Sequence, residues 1–197
     1  MIVVVGGRDS QFRFMDHNKV KFFHENDPDN FFYNEMCGHK FLLDNLGKYG
    51  GDSYIGLEHY RRAFDYSDRE INDILKGYEI IVKEEHGPFG ECSNLDVLSW
   101  CSRHGDDFTK MAREWVDRFP ELKEQAERRT HYGCNMFITT PKKYRAMMED
   151  EFAYIREFLK YPGLPRASIG YFCETILTPH IIKKHNRSIF VGSVSVG

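Results

Sequence analysis

The run Tyr54-Ile55-Gly56-Leu57-Glu58-His59-Tyr60-Arg61-Arg62-Ala63-Phe64 constrains this chain most, because it joins a buried strand to a block of polar, mostly ionisable side chains. Tyr54 to Leu57 reads as a short buried strand, and a carboxylate, an imidazole, a phenol and two guanidiniums follow it without a break. Packing alone rarely places five such groups at a strand's end. Strand ends in α/β sheets are where ligands bind. Two adjacent arginines there point to an anionic ligand, since the planar guanidinium matches phosphate and carboxylate oxygens. On a continuing strand His59 and Arg61 share one face, and Tyr60 and Arg62 the other. The competing reading is a surface ion-pair cluster with Asp65, Asp68 or Glu70.

Around this run the pattern alternates strand and helix. Ile2 to Val5 reads as a buried first strand broken by Gly6-Gly7, with His17 to Pro28 as loop. A helix is expected from Phe31 to Leu46 and a turn at Gly47–Asp52. Ser67-Asp68-Arg69-Glu70 is a capping box for a helix that buries Ile71, Ile74 and Leu75, and Tyr78 to Val82 is the next strand. Phe108, Met111, Ala112, Trp115, Val116 and Phe119 repeat at helical spacing, and Pro120 ends that helix or opens another. Cys134 to Thr139 reads as a strand. Thr140-Pro141 starts a long helix with the stripe Tyr144, Met147, Met148, Phe152, Ile155, Phe158 and Leu159. A helix from near Ser168 buries Ile169, Phe172, Cys173, Ile176 and Leu177, Pro179 should kink or end it, and Ser188 to Val194 is a last strand. This βαβ order predicts an α/β fold with a mostly parallel central sheet flanked by helices.

At 197 residues the chain suits one domain, 1–197. A net charge of −3 excludes the basic field that non-specific nucleic-acid binding needs, so the arginines act locally. Cys37, Cys92, Cys101, Cys134 and Cys173 form no CxxC pair, which indicates reduced thiols and a cytoplasmic protein. Cys37 and His39 lack a second pair with metal spacing, so a zinc site is rejected. Met1 to Val5 is too short for a signal peptide or membrane span, which leaves peripheral association at the inner face of a membrane.

Three segments carry a resemblance. Gly56-Leu57-Glu58-His59-Tyr60-Arg61-Arg62 resembles the Gly-Leu-x-His-Tyr-Arg-Arg signature of a bacterial glycosyltransferase-like family of capsular-polysaccharide and lipopolysaccharide loci, long catalogued as a domain of unknown function. Tyr132 to Ile138 is similar to its Asn-Met-Phe-Ile strand, and Gly170 to Leu177 to its Gly-Tyr-x-x-Glu-Arg-Leu-Leu helix. The resemblance covers roughly Asn30 to His185. It departs at Thr175, where the family has Arg, at Cys37-Gly38-His39-Lys40, and in a short region before the signature.

The resemblance implies a GT-A-like fold with an abbreviated N-terminal nucleotide-binding part. The implied activity moves a hexose from a nucleoside-diphosphate sugar to a hydroxyl of a glycan or lipid-linked acceptor. No Asp-x-Asp ends the central strand, so cationic side chains are expected to replace a metal on the diphosphate, while Mn or Mg stays open as a cofactor. His59, Arg61 and Arg62 would hold the diphosphate. Glu58, Tyr60, Asn135 and Arg166 complete the substrate set, and Gly6, Gly7 and Arg8 follow the first strand toward a nucleotide. Glu174, one position off its helix's apolar stripe beside Gly170 and Thr178, is a candidate general base or a partner of Arg166; Asp96 is a second candidate base. Asn135 equally suits a sugar hydroxyl or a loop tie. Two other functions remain: a non-catalytic binding module of the same fold, favoured by Thr175, and a phosphate-ester enzyme using the same cations.

Overall fold

Ile2, Val3 and Val4 are all buried because the first strand lies inside a sheet and not at its rim. The computed structural model describes residues 1–6, 19–23, 36–49, 51–59, 62–85, 96–132, 135–165 and 167–196. Strand β1 (Ile2–Gly6) runs parallel to β2 (Lys19–Phe23) on one side and to β3 (Ile55–His59) on the other. Beyond β3 come β6 (Phe137–Thr139), β5 (Ile80–Lys83) and β7 (Ile189–Gly192), giving the order β2-β1-β3-β6-β5-β7. The last residue of β3 pairs instead with β4 (Arg62–Phe64), and β4 with β8 (Val194–Val196).

Side chains alternate between two apolar clusters, as a period of two demands. Val3, Leu57, Val82 and Phe137 face the larger cluster, under most of the helices. Ile2, Ile81, Ile138 and Ile71 share the smaller one, under α3 (Asp68–Gly77). The larger cluster is stiffened by aromatic stacking: Trp115 lies on Phe158 at 4.0 Å and edge-on to Phe172 at 4.9 Å. Each such pair contributes about 0.5–1.5 kcal/mol beyond area burial.

The helices follow their local signals. Met36–Asp44 (α1) falls in the segment expected as one helix, while Leu46–Tyr49 (α2) carries helix into residues expected as a turn; between them Asn45 turns its side-chain amide onto the Phe41 carbonyl at 2.9 Å. In α3 the Ser67–Glu70 capping box forms in full. Val97–Trp100 (α4) precedes α5 (Asp106–Arg118), whose apolar repeat is buried as expected, and Pro120 opens a 3-10 turn before α6 (Lys123–Ala126). Pro141–Phe158 (α7) is capped by Thr140 and buries its stripe, except that Leu159 lies past the end and is exposed.

The structure corrects several expectations. The sheet is mixed and not mostly parallel: β6 is antiparallel to both neighbours, and β4 to β3 and β8. Residues 19–23, expected as loop, form an edge strand, and Phe22 packs against the core. The strand expected to stop at Leu57 continues through Glu58 and His59. It does not then run on to Arg62, because His59 pairs antiparallel with Arg62 and the chain reverses between them. The strand at 134–139 begins only at Phe137, and the last strand splits in two at Ser193. Pro179, expected to kink or end its helix, stands in the first turn of a renewed α-helical segment. A π-helical turn (Cys173–Leu177) joins α8 (Ser168–Phe172) to α9 (Thr178–His185), and the Thr178 N–H reaches back five residues to the Cys173 carbonyl. Widening the turn lets the proline, which has no N–H to give, enter the helix near its restart.

Candidate functional site at the carboxyl edge of the sheet

Direction and register decide which residues meet. In β1, Val5 pairs with Phe22 of β2 and with His59 of β3, so three parallel strands end together. The antiparallel β6 begins at the same edge, with Phe137 opposite Leu57 and Val82. Gly6, His59, Arg62 and the turn at Asn135 therefore share one rim. The chain leaves β1 for β2 on one side while β3 lies on the other, and a reversal of strand order of this kind opens a crevice outside the carboxyl ends. Segments 7–18, 24–35, 60–61, 86–95 and 133–134 lie outside the described residues, as do the expected site residues Gly7, Arg8, Tyr60 and Arg61, and also Arg166.

Glu58 and His59 are both buried, and alternation sends them to opposite faces. Glu58 faces the α3 side, where its carboxylate accepts the Phe64 N–H at 3.0 Å and ties β4 back to β3. His59 faces the main helix layer. Arg62 is half-buried in β4. Of the carboxylates considered as ion-pair partners, Glu70 accepts from Ser67, and Asp65 and Asp68 meet the Ser195 and Tyr54 hydroxyls.

Asn135 is the organised part of the rim. It adopts a left-handed backbone (φ 49°), uncommon for a residue with a side chain, and it is held there from three sides. Its carbonyl is 2.8 Å from His39 Nε2, its Oδ1 is 3.0 Å from the Thr178 hydroxyl, and its Nδ2 faces the Gly170 carbonyl at 3.5 Å. Because a carbonyl only accepts, His39 carries its proton on Nε2, and its Nδ1 accepts a hydrogen bond from the Tyr144 hydroxyl 2.8 Å away. Burial holds the imidazole at about 4, against the pull of the Asn135 carbonyl, so His39 is neutral. Behind Thr178, at 2.5 Å, lies Glu151, fully buried. Burial pushes this acid up to about 7, opposed by Thr178 and the Cys173 thiol and reinforced by Asp150.

Glu174 is half-buried in the π turn and lines a tight crevice with Tyr132, Asn135, Met136 and Thr178. The structure thus joins Asn135 to Glu174 and to the Gly170–Thr178 line, although the π turn breaks the helical register assumed for that line. Asp96 is placed differently. It caps α4, accepting the Ser99 N–H at 2.6 Å. Thr175 is buried, its hydroxyl on the Tyr171 carbonyl at 2.8 Å.

Glu151, Thr178 and Tyr144 were not singled out as polar members of a site. The available signal was a carboxylate at position 151, one helical turn from Met147 and Met148 and from Ile155, where the stripe predicts an apolar residue. Among the described residues no three His, Cys, Asp or Glu side chains are grouped to hold a metal ion, and no helix is long and apolar enough to cross a membrane. Cys37, Cys101 and Cys173 are buried and form no disulfide among the described residues; Cys92 and Cys134 lie outside the described residues.

The fold, a mixed sheet with helices over its faces, has a counterpart among solved structures. The apo structure of the WbbM bifunctional glycosyltransferase is similar, with a TM-score of 0.72 at 14% identity, covering 99% of this chain and 45% of that one. The chain therefore spans less than half of that protein's length. The family described as "Domain of unknown function (DUF4422)" matches residues 13–183, and the chain belongs to it. That range contains all three segments on which the resemblance rests. No curated protein matches the sequence.

Proposed function

We propose that this chain is a glycosyltransferase of GT-A-like fold that moves a hexose from a nucleoside-diphosphate sugar to a hydroxyl of a bacterial surface glycan, capsule or lipopolysaccharide. One observation carries the reading: strand order reverses at β1 and gathers Gly6, His59, Arg62 and the Asn135 turn at one rim, in a fold similar to that of a glycosyltransferase. Gly6, Gly7 and Arg8 approach the nucleotide. His59, Arg61 and Arg62 neutralise the charge that develops on the departing diphosphate. Glu58, Tyr60, Asn135 and Arg166 shape the sugar and acceptor pocket. The acceptor oxygen bonds to the anomeric carbon, the bond to the diphosphate oxygen breaks with its electron pair, and the acceptor proton passes to a base. We assign that role to Glu174, a neighbour of Asn135, over Asp96, whose carboxylate is committed to a helix cap. The protein acts in the cytoplasm, at the inner membrane face when the acceptor is lipid-linked.

Thermal unfolding with a panel of nucleoside-diphosphate sugars, with and without Mn or Mg, tests this. A ligand at about 100 times its Kd adds about 2.7 kcal/mol, a shift of roughly 5–11 °C. Failure of every nucleotide and nucleotide sugar at millimolar concentration would remove the donor site. A second reading, a binding module without turnover, is supported by Thr175, which is buried in packing where the family carries a cation; stabilisation without transfer to any acceptor would identify it.

A further inference from the structure

The Thr178 hydroxyl lies between two oxygens, Glu151 Oε1 at 2.5 Å and Asn135 Oδ1 at 3.0 Å. A hydroxyl has one proton to give. The Asn135 amide nitrogen faces the Gly170 carbonyl, so its oxygen presents only lone pairs to Thr178. If Thr178 donates to Glu151, Asn135 Oδ1 is left buried against another lone pair. If Thr178 donates to Asn135, the short contact to Glu151 requires a proton on the carboxyl. Only the second arrangement satisfies both contacts, and all three residues are too buried for water to make up the difference. Among the described residues Glu151 Oε2 has no partner in hydrogen-bond geometry, the neighbouring Cys173 thiol is a weak donor, and no lysine, arginine or histidine pairs with the carboxyl. A neutral acid tolerates that setting far better than a carboxylate does.

We propose that Glu151 is a positioning residue: as a neutral acid it donates to Thr178, which donates to Asn135, and this relay fixes the left-handed turn that lines the crevice with Glu174. Loss of the proton swings the Thr178 hydroxyl toward the carboxylate and strips Asn135 Oδ1 of its donor. This inference rests on the crevice being the sugar side of the proposed site. Around Glu151, α7 presents Tyr144 and Asp150, the latter paired with Lys184 and His185, and the α8–α9 helix presents Cys173. Tyr144 and Cys173 are pushed up by burial, His39 behind Asn135 is held at about 4, and Asp150 is held low by Lys184 and His185 against burial. Burial places the Glu151 titration at about 7.

The test follows the Glu151 carboxyl carbon and the Asn135 side-chain amide by NMR from pH 5 to 9, and measures UDP-glucose affinity at pH 6 and 8. The expected result is one shared midpoint near neutrality and about tenfold weaker UDP-glucose binding at pH 8, as the competent fraction falls. Glu151→Gln, whose amide donates as the neutral acid does, should abolish both pH effects and keep the tight form. Thr178→Val should leave Glu151 titrating while Asn135 no longer responds, a readout available even if the Gln variant folds poorly. A Glu151 midpoint below pH 5, an Asn135 signal indifferent to it, or equal UDP-glucose affinity at both pH values overturns the proposal. No UDP-glucose binding at either pH, with Asn135 still tracking Glu151, upholds the relay and counts against the donor reading alone.

Discussion

Two buried neighbours of Asn135 have opposite proton linkage. His39 is depressed from 6.5 to about 4, so its contribution to stability is complete above 6.5 and is lost as the pH falls to 4. Glu151 is raised from 4.5 to about 7, so its contribution is complete below 4.5 and is lost as the pH rises to 7. Each amounts to roughly 3 kcal/mol. Between 4.5 and 6.5 the two slopes oppose each other. Glu151→Gln removes one and should expose the other: urea denaturation of this variant, compared with the natural protein at each pH, should show stability falling more steeply on acidification from 6.5 to 4. Parallel stability profiles for the two proteins would show that Glu151 does not carry the linkage. Glu174 is tested at the same scale. Glu174→Gln keeps its shape but cannot take a proton, so turnover should fall about 100-fold or more with donor affinity little changed if it is the base. Lowered thermal stability with turnover intact would make it structural.

Among the elements, the β3–β6 pairing depends on a missing side chain. A Cβ at Gly56 would meet the Phe137 carbonyl at 2.5 Å and Ile138 Cγ1 at 2.8 Å. The glycine that opens the Gly-Leu-Glu-His-Tyr-Arg-Arg run is therefore explained by strand packing. Gly56→Ala should force β6 away from β3 and cost roughly 1–3 kcal/mol, read as a lowered Tm. Because β6 leads back to Asn135, donor binding should weaken in the folded fraction as well. An unchanged Tm would mean that the pair has room the geometry does not show. Elements with purely local causes were legible beforehand: α3 from its capping box, α7 from Thr140-Pro141 and its stripe, α5 from a repeat that spans three turns. Strand β2 was not, since an edge strand with lysines at alternate positions lacks the continuous apolar run of a buried one.

For the whole molecule, the proposed reliance on cations instead of a metal predicts that chelation leaves donor affinity nearly unchanged; complete loss on chelation, restored by Mn or Mg, would overturn it. Arg62→Ala should weaken donor binding by about 10- to 100-fold in a folded protein, the loss of one charge-assisted contact. By itself the sequence determined the alternation of strands and helices, the caps, most of the core, and the ionisable block that follows Leu57. Those features follow from period, capping and turn chemistry, which act over a few residues. Only the tertiary structure decided strand direction, because a short strand accepts parallel or antiparallel neighbours and the connections choose between them. It also decided that Glu58 and His59 belong inside β3 on opposite faces, that Asp96 caps a helix, and that Asn135 joins His39, Gly170, Thr178 and, through Thr178, Glu151. Those partners lie between 16 and 96 positions away along the chain. No local pattern encodes such contacts; they exist only once the sheet has brought its carboxyl ends to one rim.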